Sequence, residues 1–145
     1  MFTGIKHLHS TLAYVVLACL IIAFLYALVS YFQNKGFNRK MASLGMIATH
    51  IQVLFGLILY FVSPYGSDRL GDMGVAMKDS ILRLYVLEHP LIMIISVVLV
   101  TIGFSKAKKA VDAKAANKTV AIFYGIALLL VISIIPWHVW PSWMQ

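Results

Sequence analysis

Four long apolar runs, almost free of charge, limit what this chain can fold into more than any other feature. Thr11 to Phe32 is 22 residues without a charged side chain, and Met41 to Tyr65 is a second uncharged stretch. A third runs from about Leu84 to Ser105, interrupted by Glu88 and His89. The fourth begins at Thr119 and stays uncharged to the C-terminus. About 20 helical residues cross a hydrocarbon core ~30 Å thick. Only helices and closed barrels satisfy their backbone hydrogen bonds in lipid. Barrel strands alternate apolar with polar residues, and these runs do not. Charged residues make up 12% of the chain, against about a quarter in soluble domains. The expectation is one all-α domain over residues 1–145, an integral membrane four-helix bundle with spans at about 10–32, 41–63, 84–105 and 119–137.

The net charge of +7 is a topology signal once the charges are placed. Lys35, Arg39 and Lys40 lie between the first two spans. Lys106, Lys108, Lys109, Lys114 and Lys118 lie between the last two, against Asp112 alone. The other side holds Lys6, Arg69, Lys78 and Arg83, offset by Asp68, Asp72, Asp79 and Glu88. Basic loops stay cytoplasmic, so both termini are expected outside, in the periplasm, with the chain in the cytoplasmic (inner) membrane. Trp137, Trp140 and Trp143 then form an outer aromatic belt, with Pro136 and Pro141 ending the last helix. The long connection from Ser63 to Arg83 is irregular at Pro64, Gly66, Gly71 and Gly74, and helical spacing resumes near Val75.

The sequence carries no phosphate-binding loop, dinucleotide fingerprint or Cys-x-x-Cys. Its basic loops lack interleaved aromatics and point to lipid headgroups rather than to nucleic acid. The lone Cys19 has no partner within the chain. Val16-Leu17-Ala18-Cys19 loosely resembles a lipoprotein cleavage site, but cleavage there would leave a chain that begins within its own membrane span.

Five histidines carry the functional signal, because an ionisable group inside a membrane is costly and marks a site by default. Histidine is also the usual axial ligand of haem iron. No span has two histidines separated by nearly half the membrane, and His7 and His9, two apart, point to different sides of a helix, so the two-haem pattern of respiratory cytochromes b is absent. On the first span His9 shares a stripe with Ala13, Val16 and Leu20. On the third, His89 shares one with Met93, Ser96 and Val100. Ala13 and Ser96 leave gaps against which a flat macrocycle can lie. On the second span Gly45, Thr49, Gln52, Gly56 and Ser63 form a small, polar stripe of the kind that packs inside a bundle. His50 lies off that stripe and faces the flank or a partner. Glu88 could orient the His89 ring or pair with Arg83. Pro90, lacking an N–H, sits in a first turn or forces a kink. At ~1.5 Å per residue His9, His89 and His50 stand roughly 35, 24 and 15 Å from the basic ends of their helices, which leaves the axial pair open between His9–His89 and His50–His89. His7 and His138 are expected at the water boundary.

Lys6-His7-Leu8-His9-Ser10-Thr11-Leu12-Ala13-Tyr14 resembles the His-x-x-Leu-Ala-Tyr helix start of the haem A synthase family. Gln52-Val53-Leu54-Phe55-Gly56 resembles its Gln-x-x-x-Gly helix, and His89 resembles its second haem histidine. Order and sidedness match one four-helix half of that family. The resemblance implies a haem b held by His9 and His89 near the outer face, beside Gln52 and Gly56. The family's glutamate three residues before the first histidine is Lys6 here, and the arginine after it is Ser10. Small cytochrome b-like membrane proteins are similar in size and span number.

Three functions stand at this point. The first is haem b-mediated electron transfer in or beside a respiratory complex, with a quinone as a weaker candidate cofactor near Trp137 and His138. The second is a cofactor-free structural or accessory subunit of a larger complex. The third is a half-sized haem A synthase-like enzyme acting as a homodimer. The departures at Lys6 and Ser10 favour a carrier or accessory role over catalysis. The expected partners are the lipid bilayer and a membrane protein or a second copy.

Overall fold

The computed structural model describes residues 1–140. It is all-helical, with no strand among the described residues. Pro141 and Trp143, assigned above to helix termination and the aromatic belt, lie outside the described residues. Four helices are long and apolar enough to cross a membrane: α1 (Phe2–Phe32), α2 (Arg39–Val62), α3 (Ser80–Ala107) and α4 (Ala113–Ile134). This is the architecture of a multi-pass membrane protein.

Local chemistry sets the helix starts. The Asn38 side chain accepts from the Met41 N–H at 3.2 Å and opens α2. Asp79 accepts from Ile81 and Leu82 at 2.8 and 3.0 Å and opens α3. Asp112 accepts from Ala115 at 2.7 Å and opens α4. Each cap satisfies N–H groups that a helix N-terminus leaves without partners. Helix α1 starts at Phe2, earlier than its uncharged run suggests, because no proline precedes Thr11 and Lys6 and His7 lie exposed on its surface. The long connection forms a 3₁₀ turn at Ser67–Asp72 and one helical turn at Met73–Ala76.

Helix α3 starts four residues before the expected position and runs through Pro90. A π-turn at Leu84–Glu88 precedes the proline. Proline removes the bond that would reach the carbonyl four residues back, which is that of Val86. The Tyr60 hydroxyl of α2 donates to this carbonyl at 3.0 Å. Interior prolines in membrane helices are tolerated where a neighbouring helix supplies such a bond. The expected kink therefore appears as a widened turn stitched to α2. Tyr60→Phe should lower stability by about 1 kcal/mol, read as an earlier midpoint of SDS-induced unfolding.

The helices form a square. Each packs on its neighbours in chain order, and α1 packs on α4, so α1 and α3 stand on a diagonal. The dry core fills the half of the bundle nearer the basic loops. Leu20, Val100, Val120 and Tyr124 are at most 1% exposed there. Alanines fill much of the rest, as close helix approach in lipid requires. The Tyr124 hydroxyl donates to the Ala42 carbonyl at 2.6 Å. Gly45, Thr49 and Ser63 are buried, and Gln52 and Gly56 are partly buried, so the small stripe of α2 faces inward as expected. The other half of the interior holds His9, Gln52 and His89.

Candidate functional site

His9 of α1 and His89 of α3 come from opposite corners of the square and meet inside it. Their ring centroids are 6.5 Å apart, with ring planes 82° from parallel. Thus packing brings His9, not His50, to His89, a choice that helix lengths leave open. Helix α1 overhangs at the basic end, where Phe32 is 72% exposed, so residue counts from that end do not measure height.

The His89 ring is held from α4. Its Nδ1 lies 3.0 Å from the carbonyl oxygen of Ile134, the last residue of α4. A terminal helix carbonyl has no acceptor role within its own helix, and it takes the Nδ1–H here. That bond fixes the tautomer and leaves Nε2 with its lone pair, the form that ligates metals. Glu88 does not orient His89. Its carboxylate accepts from Arg83 Nε at 2.7 Å. The π-turn carries Glu88 toward Arg83, and the helix end of α4 lies closer to the imidazole.

The His9 ring is held from α2. Gln52 Nε2 donates to the His9 carbonyl at 3.0 Å and lies 3.4 Å from His9 Nε2. One turn further along α2, Gly56 faces the ring edge. A Cβ at Gly56 would stand 3.1 Å from His9 Cε1, so a side chain there would displace the imidazole. His9 Nδ1 and Gln52 Oε1 are both buried without a hydrogen-bond partner. Leaving a buried polar atom unpaired costs about 1–3 kcal/mol, and native proteins accept this where the atom has other work.

Ala13 lies one turn from His9 and is partly buried. Ser96 lies two turns from His89, is 3% exposed and donates to Ile92 at 2.8 Å. His50 is not part of the site. It is exposed on the α2–α3 seam, with Nδ1 2.8 Å from the Met46 carbonyl and Nε2 3.3 Å from Thr101 Oγ1. Thr101 is about 18 Å along α3 from His89 at ~1.5 Å per residue. His50 as the alternative ligand is therefore misplaced.

The C-terminal segment after α4 folds back onto α1 beside the site, which the sequence did not reveal. It turns at Pro136, where Val139 and Trp140 N–H groups return to the Pro136 carbonyl. Trp140 then donates from Nε1 to the Ser10 carbonyl at 3.1 Å and lies 4.5 Å from the Tyr14 ring. Tyr85 and His138 are joined at 3.2 Å. Tryptophan at a membrane boundary reads equally as a belt residue, so only the turn at Pro136 hinted at the return to α1.

Among the described residues, no group of three or more His, Cys, Asp or Glu comes together to hold a bare metal ion. Two facing imidazoles without a nearby carboxylate suit a centre that brings its own equatorial ligands.

No protein-family model matches the chain, and neither the curated proteins nor the solved structures contain a significant match to it.

Proposed function

We propose that this chain is a haem b-binding protein of the cytoplasmic (inner) membrane that passes electrons in or beside a respiratory complex, with both termini on the periplasmic side. The observation that carries this reading is the His9–His89 pair. A metal–imidazole bond is about 2.0–2.1 Å, so two rings across one metal have centroids about 6 Å apart. The 6.5 Å separation matches that spacing. The unpartnered Nδ1 of His9 and the free Nε2 of His89 give the donor chemistry. The motif residues shared with haem A synthases also converge here, since Gln52 and Gly56 both contact His9.

His9 and His89 would hold the haem, which supplies one-electron exchange at its iron. The protein's own part is orientation and exclusion of water. The Ile134 carbonyl fixes the His89 ring, Gln52 holds the α1 backbone at His9, and Trp140 ties the C-terminal segment to α1 beside the site. Lys6 and Ser10 stand where the resembled family has a glutamate and an arginine, and Glu88 is taken by Arg83, which favours electron exchange over oxidation of the macrocycle.

A reduced-minus-oxidised absorbance spectrum of the purified protein, expressed with haem available, should show a low-spin b-type band at about one haem per chain. Absence of the band moves the assignment to a cofactor-free structural subunit. The topology is tested separately. Lys109→Cys should react with impermeant thiol reagents only from the cytoplasmic side, because eight of the 12 basic residues lie in the two loops at that end. Labelling from outside would invert the bundle.

A further inference from the structure

We propose that the groove between α1 and α4 at the basic end of the bundle binds one anionic phospholipid, with its acyl chain along the groove and its phosphate at Lys114 and Lys118. The groove has a volume of about 240 Å³ and is lined by Leu28, Tyr31, Phe32, Lys118, Ala121 and Ile122. Its walls are apolar apart from the lysine, and it opens sideways, with Ile122 47% exposed. That is the shape and polarity of an acyl-chain seat. The charge is concentrated at one end. Lys114 lies one turn before Lys118 on the same face of α4, and its ammonium stands 5.5 Å from the Tyr31 ring centre. Asn117 donates to the Lys35 carbonyl at 3.0 Å and so ties the backbone after α1 to α4.

These lysines face no carboxylate. Among the described residues the one ion pair is Arg83–Glu88, at the opposite end. The single acid of the adjoining loop, Asp112, caps α4 through Ala115. A cationic rim over an apolar inter-helix groove is the arrangement that recognises anionic headgroups. A zwitterionic lipid fills the groove equally well but leaves the lysines uncompensated. Charge complementarity therefore selects the occupant.

The test is titration of the full chain in detergent with phosphatidylglycerol or with phosphatidylcholine of the same chains, with bound lipid counted by native mass spectrometry. Phosphatidylglycerol should bind at least about tenfold more tightly than phosphatidylcholine, since each lysine near an anionic headgroup contributes about fivefold. Lys114→Gln with Lys118→Gln should weaken phosphatidylglycerol binding by about 30-fold on the same basis. Lys6→Gln with Lys78→Gln, which removes equal charge from exposed sites at the other end of the bundle, should leave it unchanged. Ile122→Trp, which fills the groove and keeps every charge, should also weaken binding. Inorganic phosphate at matched concentration should not displace the lipid. Equal binding of the two lipids, equal loss in both lysine pairs, unchanged binding in Ile122→Trp, or displacement by phosphate would each overturn the proposal.

Discussion

His89→Ala should lose the six-coordinate, low-spin haem spectrum and leave either a five-coordinate site or no haem at all. Of the histidines it is the one whose ring is fixed by a backbone acceptor on another helix, the Ile134 carbonyl at 3.0 Å. Alanine removes the ligand and leaves that carbonyl without its donor. Carbonyl-anchored histidines are pre-oriented ligands, and loss of even the orienting partner commonly lowers metal affinity by about 10–100-fold. Loss of the ligand itself should exceed this. His9→Ala should behave in the same way, since its ring stands 6.5 Å across from His89. His50→Ala and His138→Ala should keep the spectrum. His50 sits on the outer seam with Thr101, and His138 is hydrogen-bonded to Tyr85 outside the pair. The measurement is the reduced-minus-oxidised spectrum of each purified variant. A normal spectrum in His89→Ala, with loss in His50→Ala, would show that the wrong helix pair had been chosen.

Gly103→Ala should be the most damaging glycine-to-alanine change within the four long helices. An added Cβ would lie 2.5 Å from Phe123 Cβ and 3.1 Å from its Cγ. Phe123 Cβ is fixed to the backbone of α4, so no rotamer change relieves the contact and the two helices must separate. Overpacking of this kind costs about 1–3 kcal/mol, and a rigid Cβ–Cβ clash belongs at the upper end. Exchange of glycine for alanine returns about 1 kcal/mol of helix propensity. The net loss should be about 2 kcal/mol, seen as a lower midpoint of SDS-induced unfolding. Gly4→Ala is the matched control. Nothing lies within 4 Å of the added atom there, and stability should hold or rise. Unchanged stability in Gly103→Ala would mean that the α3–α4 contact can relax without cost.

The stripes of the three histidine-bearing helices were readable because a helix repeats its faces. Val16 and Leu20 below His9, and Ser96 and Val100 below His89, are buried as their spacing implies. Partner choice was less readable. Glu88 adjoins His89 in sequence and looked like its natural orienting group, yet adjacent helical residues point in different directions. The π-turn and Arg83 claim Glu88, and His89 is served by Ile134, 45 positions away. Likewise, nothing local at Tyr60 announces a bond to the carbonyl that Pro90 releases.

Four helices, their apolar faces, the charge asymmetry of the loops and the histidines worth testing are legible in the amino-acid order alone. These follow from local periodicity and from the cost of placing charge in hydrocarbon. It takes the packed bundle to show that α1 and α3 lie on the diagonal, that His9 rather than His50 meets His89, and that the segment from Pro136 to Trp140 folds back onto α1. Those outcomes depend on how small residues such as Gly56 and Gly103 let helices approach, on helix ends that are not flush, and on backbone groups left free at a proline and a helix terminus. Each is a relation between distant segments, which periodicity along one segment does not encode.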